Sequence, residues 1–288
     1  MNVTDLQRSN SAKSGTHMFD PRHRLDGPPW SAKLTFTLTD GATYAGTGFC
    51  VEHAGRRWLV TCRHNVEVRR FDFAGSNDLI SMAAGDEVPF EVDGRRTVVG
   101  IRIGDFIPDC AAIELREGEW PSLPKFDPRL TIAVDGFEQP DKVELRGPPS
   151  QSGSAKVKPT GWVLFQGFPG DETTAVTLRG VRLAHLPRII QPWMISFLPT
   201  CVEGFSGGPV LGVDQSSMSL LGITTHKHKA WFEVGLEDGR TADVQISASA
   251  AVPIAPLLAV LEKAPPGNSV IDVPAPRAPV ASGRKRST

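Results

Sequence analysis

The stretch Glu203-Gly204-Phe205-Ser206-Gly207-Gly208-Pro209-Val210 sets a serine among glycines, ahead of a proline that opens an apolar run. Acyl transfer needs such a serine oxygen exposed at a tight turn. It also needs backbone N–H groups converging on the oxygen that becomes negative in the tetrahedral intermediate. Gly204 suits that task, since without a side chain it can bring its N–H beside that of Ser206. A serine nucleophile requires a base, and His64 closes the run Trp58-Leu59-Val60-Thr61-Cys62-Arg63-His64. Imidazole serves as a general base near neutral pH with little adjustment. Asp109 stands at the head of Cys110-Ala111-Ala112-Ile113. A carboxylate entering an apolar strand is unfavourable unless paired, and an imidazole N–H would pair it while fixing the ring tautomer. Taken singly, each residue has a plainer reading: a glycine-rich turn with an incidental serine, a satisfied rim histidine, an aspartate capping a strand. Together they point to nucleophilic catalysis.

The elements that must hold these residues read as short strands. Lys33 to Thr39 alternates, Ala45 to Val51 is small and apolar, and Trp58 to Thr61 is a buried run. Further strand candidates are Val98 to Ile103, Ala111 to Leu115, Val143 to Leu145, Trp162 to Phe165, Ala175 to Leu178, Met194 to Phe197, Pro209 to Leu211 and Leu220 to Thr224. This many short strands suits sandwiches or closed barrels better than alternating strands and helices. Between Arg116 and Lys158, scattered prolines and Gly147-Pro148-Pro149-Ser150-Gln151-Ser152-Gly153-Ser154 mark a connection between two halves. Ile254 to Glu262 carries apolar residues at helical spacing and predicts one closing helix. The segment from residue 264 to 288, rich in proline and ending near Arg284-Lys285-Arg286, reads as a disordered, solvated tail.

With 288 residues the chain can bury a sizeable core, and its 28 glycines and 24 prolines favour turns. A formal net charge of −1 provides no overall basic field, so neither nucleic acid nor an acidic membrane surface is implied as a partner. Met1 to Asp20 is polar, without the apolar stretch of a secretory signal, and no window reaches the roughly 18 apolar residues of a membrane span. A cytoplasmic location is expected. Cys50, Cys62, Cys110 and Cys201 lie in strand-like surroundings and are expected to be buried free thiols. His226 and His228 could share one strand face, yet no third ligand stands at compatible spacing, so neither a metal nor a cofactor is expected.

Read together, the three fragments resemble the trypsin/chymotrypsin-like serine peptidases, in particular their bacterial, disulfide-poor, Deg-type branch. The chain order His64, Asp109, Ser206 matches that family, whereas α/β-hydrolases run Ser, Asp, His and subtilisins Asp, His, Ser. Gly167-Phe168-Pro169-Gly170 is similar to a turn of its second barrel, and Leu221-Gly222-Ile223-Thr224 to the strand after its nucleophile. The resemblance implies an all-β fold of two six-stranded antiparallel β-barrels with a C-terminal helix and disordered ends. The segments would be a flexible 1–29, barrel one at 30–116, a connection at 117–160, barrel two with its helix at 161–263, and the tail at 264–288. It implies a serine endopeptidase acting on a protein or peptide substrate, with Ser206 as nucleophile, His64 as acid and base, Asp109 as its orienter, and an oxyanion hole of Gly204 and Ser206 N–H groups. Regulation by a protein partner is a further expectation.

By the same resemblance, Thr200, Cys201, Thr224, Thr225 and His226 line the substrate pocket. No acidic residue stands at its expected base, so a small or medium uncharged side chain is favoured, while His226 leaves an acidic one open. Phe205 departs from the pattern, because digestive members carry an aspartate there and Deg-type members usually asparagine. It either packs beside the oxyanion turn or holds that turn in a non-catalytic shape, which leaves a latent binding module as the alternative.

Overall fold

The computed structural model describes residues 24–25, 30–37, 41, 43–66, 78–83, 90–92, 97–119, 125–126, 132–133, 143–146, 154–157, 159–170, 172–183, 194–214, 217–235 and 241–274. The chain starts with β1 (Arg24–Leu25) and continues through β2 (Ser31–Thr37), β3 (Thr43–His53), β4 (Arg56–Thr61), β5 (Asp78–Ala83), β6 (Phe90–Val92), β7 (Val98–Ile103) and β8 (Ala111–Leu115). Four short strands follow: β9 (Lys125–Phe126), β10 (Ile132–Ala133), β11 (Val143–Arg146) and β12 (Ser154–Val157). The second half holds β13 (Pro159–Gly167), β14 (Val176–Leu183), β15 (Ile195–Leu198), β16 (Pro209–Asp214), β17 (Ser217–Gly235) and β18 (Thr241–Pro253), then helix α1 (Ile254–Leu261) and β19 (Ser269–Val273).

The second half closes into a six-stranded antiparallel barrel. Its order is β14-β13-β16-β17-β18-β15, and β15 pairs back onto β14 through Val181 opposite Leu198. Among the described residues the first half shows no closing pair. Its sheet runs β19-β7-β8-β4-β3-β2-β5-β6, so of the expected pair of six-stranded barrels one is seen closed, and the other is an open sheet as far as the described residues go. The reason is a used edge: Val99–Ile103 of β7 pairs on its outer side with Ser269–Val273, leaving no hydrogen-bonding edge there for β6. That pairing is parallel, as is β9 on β3, so the half is not wholly antiparallel. The expectation of a disordered tail is corrected as well, since its first part forms β19; residues 275–288 lie outside the described residues. Likewise most of the expected flexible segment 1–29 is not described, but Arg24–Leu25 pairs with β14 of the other half.

Three apolar clusters hold these layers. One fills the first sheet around Leu34, Phe36, Leu59 and Ile113. Another fills the closed barrel around Val163, Phe165, Phe197 and Phe205. The third is shared, with Phe49, Trp58 and Ile101 of the first half meeting Leu211, Ile223 and Val252 of the second. Helix α1 seals this shared core with Ile254, Leu257, Leu258 and Leu261, all buried at the spacing of one helical face. Cys50, Cys62, Cys110 and Cys201 are all buried free thiols. Among the described residues no helix is long and apolar enough to cross a membrane.

The β3–β4 hairpin, which delivers His64, turns through Ala54 and Gly55 with φ of 53° and 74°. Positive φ at both central positions is the geometry of a two-residue hairpin turn, and alanine is disfavoured there by about 1 kcal/mol because its Cβ crowds the carbonyl. Ala54→Asn is therefore expected to stabilise the chain by about 0.5–1 kcal/mol. Denaturant titration should show a higher midpoint with an unchanged slope.

Candidate active site

His64 sits in a single 3-10 turn, Arg63–Asn65, one residue beyond the end of β4, and Asp109 stands two residues before the start of β8. Because β4 and β8 pair with Thr61 opposite Ala111, the sheet register carries His64 and Asp109 to the same end. Two hydrogen bonds join them. The His64 backbone N–H donates to Asp109 Oδ1 at 2.9 Å, and His64 Nδ1 lies 2.7 Å from Asp109 Oδ2. Burial opposes ionisation of Asp109, yet the hydrogen bonds and charge of His64, with a smaller contribution from His226, outweigh it and hold the carboxyl below its usual range.

Ser206 arrives from the other half, on the turn between β15 and β16. Gly204 has a φ of +94°, and a Cβ there would come within 2.1 Å of the Phe168 carbonyl oxygen. Gly207, at +91°, would press a Cβ to 2.0 Å from the Thr47 carbonyl oxygen. Only glycine fits either position. The carbonyls of this turn all point away from the cleft into bonds: Gly204 O accepts from Thr47 Oγ1 at 2.6 Å and Phe168 N–H at 3.1 Å, and Ser206 O accepts from Thr47 N–H at 3.0 Å and Asn65 Nδ2 at 3.2 Å. Among the described residues, the N–H groups of Gly204 and Ser206 meet no acceptor, which leaves both available to a developing oxyanion.

Phe205 is fully buried, its ring 5.4 Å from that of Phe165 inside the closed barrel. The turn is thus anchored by apolar burial where the resembled family uses a polar side chain. Of the two expectations for Phe205, its buried position fits packing beside the turn that carries Ser206.

A cleft of about 330 Å³ is lined by His64, Asp109 and Ser206 together with Cys201, Thr224, Thr225 and His226, so one space receives the residues singled out from the sequence. Thr200 and Gly204 are the exceptions and are not among the residues that line it. Thr200 is buried, and beside it Ser249 Oγ accepts from Cys201 N–H at 2.6 Å and donates to Pro199 O at 2.8 Å, which leaves Cys201 at the cleft. The Ser206 hydroxyl donates to Thr225 O at 3.0 Å, and no hydrogen bond joins it to His64. A register shift between Thr224 and His226 marks the bulge that turns this carbonyl towards the serine. His226 Nδ1 lies 2.9 Å from Thr225 Oγ1, and burial pushes its pKa down.

Sequence reading missed three residues that brace the site, Thr47, Asn65 and Ser249, and one that lines the cleft, Lys227. Thr47 stood out only as a hydroxyl between two glycines in an apolar run, and Asn65 only as the neighbour of His64. Cys62 Sγ, His64 and Asp109 bring potential metal ligand atoms within 4.8 Å of one another. Their arrangement is that of a hydrogen-bonded network, since burial pushes the Cys62 thiol up and Sγ donates to Thr224 O at 3.1 Å.

No protein-family profile matches the chain. No curated protein matches it either. Among solved structures it is similar to Deg5, at 16% identity and a TM-score of 0.45 over 84% of this chain and 91% of that one. It is also similar to the serine endoprotease from Yersinia pestis, at 16% identity and a TM-score of 0.44 over 84% of this chain and 64% of that one. The protease Anisep from Arthrobacter nicotinovorans is a third, at 13% identity and a TM-score of 0.46 over 80% and 93%.

Two outcomes follow from this geometry. Thr47→Val removes the hydroxyl bound to Gly204 O at nearly constant volume and is expected to lower stability by about 1 kcal/mol, read from the denaturation midpoint, with Thr47→Ser retaining most of it. Because the folded Asp109 carboxyl titrates below its ordinary 3.8, its pairing with His64 stabilises fully above that value and is lost as pH falls through the lower, folded one. Denaturation midpoints taken from pH 5 to pH 2.5 should show that decline in the wild type and a weaker one in Asp109→Asn.

Proposed function

We propose that the chain is a serine endopeptidase that cleaves protein or peptide substrates through an acyl-enzyme. The observation that carries this reading is the doubly hydrogen-bonded His64–Asp109 pair facing Ser206 across one cleft. With Nδ1 committed to Asp109, His64 Nε2 is the nitrogen left to take a proton. The Ser206 hydroxyl turns from Thr225 O to His64 and attacks the scissile carbonyl as the proton passes to the imidazole. Asp109 stabilises the imidazolium, and the N–H groups of Gly204 and Ser206 hold the oxyanion. His64 then protonates the departing amine, and water repeats the sequence in reverse to free the acid and Ser206. An extended peptide laid beside the closed barrel would present its backbone to this site.

The bond from Ser206 Oγ to Thr225 O supports a second reading, in which the site rests until a substrate or protein partner frees the hydroxyl, or serves as a binding module. A fluorophosphonate probe followed by adduct mapping decides between them. Labelling at Ser206 that vanishes in Ser206→Ala and slows at least about a hundredfold in His64→Ala supports the peptidase. Folded protein that takes no label at Ser206 rules out a competent resting triad and leaves the second reading, a site at rest or a binding module.

A further inference from the structure

Among the described residues, the cleft is lined by one lysine that the chemistry above does not use. Lys227 lines it, one residue beyond His226 on β17. Strand register fixes which way it faces. Lys227 lies opposite Ser249 of β18, and residues directly opposite on antiparallel strands project from the same face. Ser249 Oγ reaches Cys201 N–H and Pro199 O, so the segment leading into the Gly204–Ser206 turn covers that face. Lys227, itself exposed, therefore projects on the side of β17 that this segment flanks, at the edge of the cleft that Ser206 also lines. Its ammonium also acts on the Cys201 thiol, partly opposing the burial that pushes that thiol up to about 12.

Neighbouring charges leave Lys227 uncommitted. Among the described residues it makes no hydrogen bond or ion pair, and the same holds for Glu203 on the rim. Asp109 is committed to His64. His226 belongs to the opposite side, because its ring bonds Thr225 and feels the charges of Asp109 and His64. Thr224 adds a polar group to the same cleft: it is 1% exposed, and its Oγ1 has no partner. An ammonium and an unsatisfied hydroxyl in one pocket complement a carboxylate.

We propose that Lys227, assisted by Thr224, selects substrates with an acidic side chain on the residue whose carbonyl Ser206 attacks. The proposal rests on the endopeptidase reading for its reaction and departs from the uncharged preference expected from the sequence. When a substrate fills the cleft and excludes water, the pairing strengthens, since charge attraction grows as the local dielectric falls.

Fluorogenic peptides identical except for Glu or Gln at that residue test it in the full chain at low salt. The wild type is expected to favour Glu by about tenfold in kcat/KM, equal to about 1.4 kcal/mol. The ratio should fall towards one in Lys227→Ala, persist in Lys227→Arg, and turn towards Lys-bearing peptides in Lys227→Glu. Equal cleavage of Glu and Gln peptides by the wild type, or a preference that Lys227→Ala leaves intact, overturns the proposal. If no peptide is cleaved, the endopeptidase reading fails by itself, and the same peptides are titrated by fluorescence anisotropy against Ser206→Ala protein. Tighter binding of the Glu peptide that disappears when Lys227→Ala is added upholds the acidic pocket; equal binding of the two peptides overturns it.

Discussion

The site depends on a hydrogen-bonded seam between the two halves. Thr47 sits on β3, Thr61 at the end of β4 and Asn65 in the turn that carries His64. Thr61 Oγ1 donates to Thr47 O at 2.7 Å, Asn65 Nδ2 donates to Thr61 Oγ1 at 2.9 Å, and Thr47 and Asn65 both reach the carbonyls of the serine turn. His64 and Ser206 come from different sheets, so their separation is set by this seam and not by either sheet alone. Each bond contributes only about 0.5–1.5 kcal/mol net, but an unmade bond at a buried carbonyl would leave a larger desolvation penalty. The seam therefore fixes geometry more than it adds stability.

Apolar packing then does for the serine turn what charge does for the dyad. Phe205 drives one side of the turn into the barrel beside Phe165, while the carbonyls on its other side are held by Thr47 and Asn65. Gripped from below and from the side, the turn presents its remaining N–H groups outward. The His64–Asp109 pair needs no such grip, because its hydrogen bonds and charge outweigh the burial that would otherwise neutralise the carboxyl. Placing Ser206 is thus a matter of packing, and keeping Asp109 ionised a matter of electrostatics.

Much of this was legible in the sequence where the signal was local. Val98–Ile103 and Ala111–Leu115 appear with the bounds read from their apolar runs, and the closing helix ends within one residue of its expected end. The glycines around Ser206 announced a turn, and the residue order announced which halves would meet. Long-range pairing was not legible. Nothing in Ser269–Val273 says that it will lie along β7, and β18, with its small and polar residues, gives little alternation to read. Lys227 was hidden for a similar reason: its importance comes from standing opposite Ser249, a relation visible only once the register is fixed.

Each half lends an edge to the other. β1, from the segment before the first sheet, pairs with β14 of the closed barrel, and β19, from beyond the barrel's helix, pairs with β7 of the first sheet. Gln166 Oε1 tightens the first crossing by accepting from Trp30 N–H at 2.7 Å and Ser31 N–H at 2.8 Å. The two lobes are laced at both ends of the chain as well as along the cleft, so neither can swing away as a hinged body without stripping a strand from its partner. Unfolding should accordingly be one concerted event, with backbone amides of both lobes exchanging their hydrogens together and not as two separate populations.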